Sequence, residues 1–359
     1  MKKRLLLTGI GGFIGHHVAL WILEHTDWDV VGFDSWNPAH KGDKLRICTK
    51  LQMYIRQGRL KLHEVDLAVP FSPETMNVIM EREVEMGHRR EKGFNYIINM
   101  ASDSHVTRSV RDPRTCWKNN TQLIINMLEL FREVRCEKFV QISTDEVYGD
   151  AGWEGEGHPE WDTIKPSNPY SASKAAQEAL SVAYWRTYEA PICITNTMNV
   201  IGERQDPEKF LPKVISKIMA GETVSIHSDS EERVASRVWL DAKNVGAALL
   251  HILDLPFNRY NQGKGSELPT RYNIVGETEK NVLEMAQLIA RIMGRELKYE
   301  LVRGDEDRPG YDRRYALDGR KLRDTGFQYP FQFEETIERV VKWNLKHPEW
   351  RTVWGDTHH

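Results

Sequence analysis

Short apolar runs alternate with longer amphipathic stretches through the first two-thirds of the chain. Leu5–Thr8, Asp29–Phe33, Lys61–Val65, Tyr96–Met100, Lys138–Ser143 and Cys193–Met198 read as strands. Several are continuously apolar rather than alternating, as expected of parallel strands covered on both faces. Between them, residues 14–26, 114–134 and 170–188 carry helical periodicity. Strands alternating with helices build βαβ units, so the predicted fold is α/β with a doubly wound parallel sheet.

From about residue 200 this rhythm loosens. Pro207, Pro212, Pro256, Pro269, Pro309 and Pro330 punctuate short elements. We expect a first domain over residues 1–199, with the chain crossing back to its sheet near 234–255, and a smaller mixed α/β lobe over 200–359. Residues 36–58 and 72–93 are rich in Lys, Arg and Glu and include the runs Glu81–Glu85 and His88–Lys92. These read as solvated helix faces on the rim of the first lobe, with a partner surface as the alternative.

Composition narrows the function classes. A 359-residue chain can bury a large core around a cleft. At 28% charged residues and net charge −3 it is not built as a general nucleic-acid or membrane-surface binder. Its apolar stretches are too short to span a bilayer. Met1-Lys2-Lys3-Arg4 leads through Leu5-Leu6-Leu7 straight into a glycine-rich turn, so a first strand is expected there rather than a leader. Cys48, Cys116, Cys136 and Cys193 are scattered without metal-site spacing, which fits a reducing cytoplasm and predicts no metal.

The first strand runs into Thr8-Gly9-Ile10-Gly11-Gly12-Phe13-Ile14-Gly15, which opens a helix. Small residues at such a turn let the backbone approach a pyrophosphate seated at the helix N-terminus. The second strand leads to Asp34, about 20 residues on, where a carboxylate can hold the adenine ribose hydroxyls and would repel a 2′-phosphate. Together these predict a Rossmann-type domain with NAD as cofactor, bound by Gly9, Gly12, Phe13, Ile14, Gly15 and Asp34. Asp66 and Leu67, ending the third strand, are candidates to reach the adenine. Met100, Ala101 and Ser102, ending the fourth, would line the nicotinamide side. Asn120 is either a further cofactor contact or a structural hydrogen-bonding residue.

Tyr170 and Lys174 stand one helical turn apart, on one face. A phenol is not ionised at neutral pH, but a nearby ammonium and a cationic cofactor ring favour the phenolate. Such a phenolate can take a proton from a sugar hydroxyl while hydride leaves the same carbon. Thr144-Asp145-Glu146, at the end of the fifth strand, adds two carboxylates that hydride transfer alone does not need. They point to elimination of water, with the two acids held in opposite protonation states.

Ser143–Gly149, Asn168–Ala175 and Arg308–Ala316, with Ser104-His105-Val106 and Pro207-Glu208-Lys209, resemble the extended short-chain dehydrogenase/reductase family. Within it the chain is most similar to the dTDP-glucose 4,6-dehydratases, over nearly its whole length. The resemblance implies Tyr170 as base at the 4-hydroxyl, Thr144 sharing that hydrogen bond and Lys174 lowering the phenol's pKa. It implies Glu146 as base at carbon 5 and Asp145 as acid to the departing 6-hydroxyl, with NAD regenerated. It also implies substrate contacts from Ser104, Asn199, Glu208, Lys209, Phe210, Arg237, Arg308 and Tyr311, and a homodimer through helices 114–134 and 170–188. Three departures bear on the nucleotide. Asn199-Val200-Ile201-Gly202 replaces the family's Asn-Asn-Tyr-Gly, His227 stands near a usual aromatic, and Tyr311 replaces a usual His. UDP-, GDP- and CDP-sugars therefore stay open beside dTDP-glucose. A 4-epimerase or decarboxylase on the same scaffold, and a non-catalytic nucleotide-sugar-binding protein, are the competing readings.

Overall fold

Runs such as Leu5-Leu6-Leu7 and Ile192-Cys193-Ile194 cannot remain in water, and in the computed structural model they are fully buried. The structure describes residues 2–36, 48–80, 83–85, 88–90, 93–134, 136–260, 266–304 and 312–350. In the first part, β1 (Arg4–Thr8), α1 (Phe13–His25), β2 (Asp29–Asp34), α2 (Thr49–Arg56), β3 (Leu60–Glu64) and α3 (Pro73–Met80) are followed by a short hairpin, β4 (Glu83–Glu85) and β5 (His88–Arg90). Then come β6 (Tyr96–Asn99), α4 (Val106–Arg111), α5 (Pro113–Val134), β7 (Lys138–Thr144), α6 (Pro169–Tyr188) and β8 (Ile192–Thr197). The remainder comprises β9 (Asn199–Ile201), α7 (Phe210–Ala220), β10 (Val224–Ser228), β11 (Ser236–Asp241), α8 (Ala242–Asp254), β12 (Thr270–Ile274), β13 (Thr278–Asn281), α9 (Val282–Met293), β14 (Tyr299–Arg303), β15 (Arg314–Tyr315), α10 (Arg320–Arg323) and α11 (Phe333–Lys346).

The large sheet has seven strands in the order β12-β8-β7-β6-β1-β2-β3, and every neighbouring pair is parallel. The order reverses between β1 and β6, the place where doubly wound sheets open a crevice at their carboxyl ends. Leu5, Leu7, Val18 and Ile22 pack on one side of the sheet. Leu6, Ile97, Ile124 and Met127 pack on the other. Leu123, Met127 and Leu130, an apolar stripe along α5, lie inside this core, while Ala179 on α6 is exposed.

A second core, including Leu211, Ile215, Ile289 and Val340, joins α7, α9 and α11 over the small sheets. There β11 pairs with β9, β13 and β15, and β10 pairs with β14. The expected crossing near 234–255 therefore takes another form. β11 belongs to the small sheet, α8 packs on α1, and the strand that rejoins the large sheet is β12. Its sequence, Thr-Arg-Tyr-Asn-Ile, conceals a buried strand because Arg271 and Asn273 break the apolar run. Of the charged segments, residues 37–47, 81, 82, 86, 87, 91 and 92 lie outside the described residues. Among the described residues no helix is long and apolar enough to cross a membrane.

Candidate active site

The turn after β1 is shaped by close approach. Gly9 has φ +69°, and a Cβ there would lie 3.0 Å from the Ala101 backbone. A Cβ on Gly15 would meet the Gly9 carbonyl oxygen at 2.1 Å, so α1 can start this near the turn only without a side chain at 15. Gly12 caps α1 without a side-chain hydrogen bond, which leaves the first turn's N–H groups to an anion. Asp34 accepts from the Gly11 N–H at 2.8 Å and the Trp36 N–H at 3.1 Å, which fixes its carboxylate beside the turn. The Trp36 ring lies against Gly11, a contact that the sequence did not announce. These residues fit the pyrophosphate and ribose of a dinucleotide.

Other expected cofactor residues carry structural duties. Asp66 accepts from the Ala68 N–H, and buried Leu67 offers its carbonyl to Asn126 Nδ2. The Met100 and Ala101 N–H groups both donate to Thr8 Oγ1 at 3.0 Å. Ser102 reaches the Asp103 carbonyl. Asn120 is buried and joins the Asp103 backbone to Ser173 Oγ.

The reactive cluster forms where β7 ends against the start of α6. That start is set by Asn168, whose Oδ1 accepts from the Ser171 N–H at 2.9 Å, with Pro169 in the first helical position. Asn168 also donates from Nδ2 to Glu146 Oε2 at 2.9 Å, so one side chain both caps the helix and aims a carboxylate. Thr144 Oγ1 donates to Asp145 Oδ1 at 2.9 Å and shares a side-chain hydrogen bond with Tyr170. Asp145 Oδ2 is buried and finds no partner among the described residues. Burial, then the neighbouring charge of Glu146, pushes the Asp145 carboxyl up to about 7. The acid is thus substantially protonated at neutral pH.

Tyr170 and Lys174 are both buried. The lysine ammonium donates to the Ile142 carbonyl at 2.6 Å and to Gln177 Oε1 at 2.7 Å, and burial brings it down to about 7. The expected lowering of the Tyr170 pKa is not met by the protein alone. Burial raises it first, then the charges of Glu146 and Asp145, while the Thr144 hydrogen bond opposes them. Burial is the leading cause and the two acids add to it, while the ammonium donates to Ile142 and Gln177.

Of the expected substrate contacts, Ser104 is exposed. The neighbouring His105 reaches Glu208 Oε2 at 2.5 Å, linking the segment after β6 to the one before α7. Lys209 is the N-cap residue of α7, and Phe210 in its first turn packs near Trp239. Asn199 begins β9 beside Trp239. Arg237 is buried, donates to the carbonyls of Ser236, Asp312 and Arg313, and lies 4.1 Å from the Tyr315 ring. Arg308 and Tyr311 lie outside the described residues. Sequence reading missed Asn168, Gln177, Trp36 and Tyr315 as members of this neighbourhood. The Asn-Pro step before Tyr170 is a helix-start signal that could have exposed the first.

The model of the family described as GDP-mannose 4,6-dehydratase matches residues 6–340. The chain is 30% identical over 362 residues to a trifunctional UDP-glucose 4,6-dehydratase/3,5-epimerase/reductase of Arabidopsis thaliana. That match covers 99% of this chain and 48% of the relative, so the chain spans about half the length of that protein. It is also 30% identical to dTDP-glucose 4,6-dehydratase 1 of Escherichia coli, covering 97% of this chain and 94% of that one. Among solved structures, the dTDP-glucose 4,6-dehydratase DesIV of Streptomyces venezuelae, with NAD bound, matches with a TM-score of 0.79 and 26% identity. That likeness covers 97% of this chain and 98% of DesIV.

Proposed function

The chain belongs to the GDP-mannose 4,6-dehydratase family, and from that premise we propose that it is an NAD-dependent nucleotide-sugar 4,6-dehydratase, a lyase converting dTDP-glucose to dTDP-4-keto-6-deoxyglucose. Gly9, Gly12, Phe13, Ile14, Gly15 and Asp34 would hold NAD, which would supply reversible hydride acceptance between carbons 4 and 6 and a positive ring near the tyrosine. Tyr170 takes the proton of the 4-hydroxyl, with Thr144 sharing its hydrogen bond and Lys174 completing the charge pattern. The ketone so formed acidifies the proton on carbon 5, which Glu146 removes under the aim of Asn168. Asp145 gives its proton to the 6-hydroxyl as it leaves, and the proton taken by Glu146 returns to carbon 5 as hydride adds at carbon 6. The net change is loss of one water, with no net oxidation. Ser104, Asn199, Glu208, Lys209, Phe210, Arg237, Arg308 and Tyr311 are the proposed substrate contacts.

The observation that carries this reading is the asymmetry of the two neighbouring acids. Asp145 is buried, raised to about 7 and has an unengaged Oδ2, while Glu146 accepts from Asn168. A 4-epimerase moves a hydride and the 4-hydroxyl proton, eliminates no water, and needs no such pair. The test is a panel of dTDP-glucose, UDP-glucose, CDP-glucose and GDP-mannose, read by mass and by the ketone's absorbance in alkali. Loss of one water from dTDP-glucose is expected. A 4-epimer with no keto product from any of the four would overturn the assignment. We also propose a cytoplasmic homodimer. Its four cysteines are free and buried, and the outer faces of α5 and α6 leave Trp117 48% and Tyr188 47% exposed. Light scattering at twice the chain mass is the expected result.

A further inference from the structure

A continuous line of buried hydrogen bonds runs beneath the carboxyl ends of the central strands, from the glycine turn to the catalytic lysine. It begins at the Met100 and Ala101 N–H groups, which donate to Thr8 Oγ1. Thr8 Oγ1 donates to Asn99 Oδ1 at 2.8 Å, and Asn99 Nδ2 to Gln141 Oε1 at 2.8 Å. Gln141 Nε2 donates to Gln177 Oε1 at 2.9 Å, where the Lys174 ammonium also arrives at 2.7 Å. Thr8, Asn99, Gln141 and Gln177 are fully buried. Both ends of the line can only donate, since one is backbone N–H and the other an ammonium. The direction of every bond, and hence the orientation of each amide, is forced. Gln177 is pinned a second way, because its Nε2 donates to the Asn120 carbonyl at 2.8 Å.

We propose that Gln177 is a positioning residue for the Tyr170/Lys174 pair: it keeps the buried Lys174 charged with a neutral acceptor whose orientation Gln141, Asn99 and Thr8 fix. The physical point is the kind of partner. A carboxylate bonded to the ammonium would stabilise its proton but cancel its field at Tyr170. An amide oxygen and the Ile142 carbonyl stabilise the proton and leave the net charge intact. The charged group acting on Lys174 is Glu178, on its own helix and itself paired with Arg271 from β12. From β7, Ile142 and Gln141 meet this pair with neutral groups, and from α5 the Asn120 carbonyl does the same. Asp145, Glu146 and the Cys116 thiol bear on Tyr170.

This inference rests on the reading of Tyr170 and Lys174 as a catalytic pair, and two variants separate its failure from the failure of that reading. In Gln177→Met the ammonium loses one of its two acceptors. In the isosteric Gln177→Glu it gains a carboxylate, and this variant keeps the test alive should the methionine protein not fold. The Lys174 titration midpoint is read by NMR of protein carrying 13Cε-lysine, assigned with Lys174→Arg. Dehydratase kcat and KM are measured alongside. The midpoint is expected to fall by about one pH unit in Gln177→Met, a tenfold change in the ratio of charged to neutral lysine, and to rise in Gln177→Glu. Meanwhile kcat should fall at least about tenfold in both, with KM for the nucleotide sugar unchanged. A merely structural role would lower kcat without moving the midpoint in opposite directions. A midpoint unmoved in both variants overturns the proposal, as does wild-type kcat in Gln177→Glu with a raised midpoint. Midpoints that shift as expected in a protein that dehydrates none of the four sugars support the lysine–glutamine link and overturn the reaction assignment instead.

Discussion

At the scale of single residues, the site sets a requirement of catalysis against stability. Asp145 has a folded-state value near 7 against an ordinary 3.8, chiefly from burial, so the folded protein holds this proton more tightly than the unfolded chain does. The stability contributed by that proton is present at pH below about 4 and is lost as pH rises through about 7. Asp145→Asn removes the liability while keeping an Oδ1 acceptor for Thr144. Its melting temperature should exceed the wild type's at pH 8, with the gap closing at pH 5. Its dehydration rate should fall by roughly 10²–10⁴, as for loss of a general acid. Differential scanning calorimetry at the two pH values and the keto-product assay check both halves. Equal melting temperatures at pH 8 would show that the buried carboxyl costs nothing. Tyr170, Lys174 and the Asp-Glu pair were legible in sequence because their spacing is local. Gln177 and Trp36 were not, because each acquires its role from a partner that only the folded chain brings near.

At the scale of elements, the start of α6 couples helix formation to the aim of a carboxylate through Asn168. Replacing Asn168 by Ala removes the cap, at about 1 kcal/mol, and also removes the donor to Glu146. Replacing it by Asp keeps an oxygen acceptor for the Ser171 N–H but sets a carboxylate against Glu146 in place of an amide. Urea unfolding should therefore show a loss for Asn168→Ala and near wild-type stability for Asn168→Asp, while kcat falls by about tenfold or more in both. Wild-type kcat in Asn168→Asp would mean that the helix cap alone matters. The strands themselves were readable wherever the apolar run was unbroken, as in β1 and β6. That reading failed at β12, where Arg271 and Asn273 look like surface residues until their partners are known. It also failed at β11, whose apolar Val-Trp-Leu serves the smaller sheet.

At the scale of the whole molecule, residues contributed late in the chain hold the early ones in place. His105–Glu208 links the segment after β6 to the one before α7, and Arg339–Glu203 links α11 to the segment after β9, each across a long separation in sequence. The most deeply buried of these links is Arg271–Glu178, 2.6 Å apart and 1% exposed on both sides, which ties β12 to α6 one helical turn beyond Lys174. Arg271 also donates to the Tyr148 hydroxyl at 2.7 Å, and Glu178 accepts from Asn196 Nδ2, which in turn donates to the Thr144 carbonyl. The pair thus reaches the strand end that presents Thr144. Removing one partner leaves a buried charge uncompensated, so Arg271→Met should cost about 3–5 kcal/mol in urea unfolding. Removing both abolishes that charge. Arg271→Met/Glu178→Met should therefore recover a large part of the loss, though not all, because the Tyr148 hydroxyl and the Asn196 amide each lose a partner. Strictly additive losses in the double variant would show that the two side chains act independently and that hydrogen bonding, not charge, holds β12 against α6.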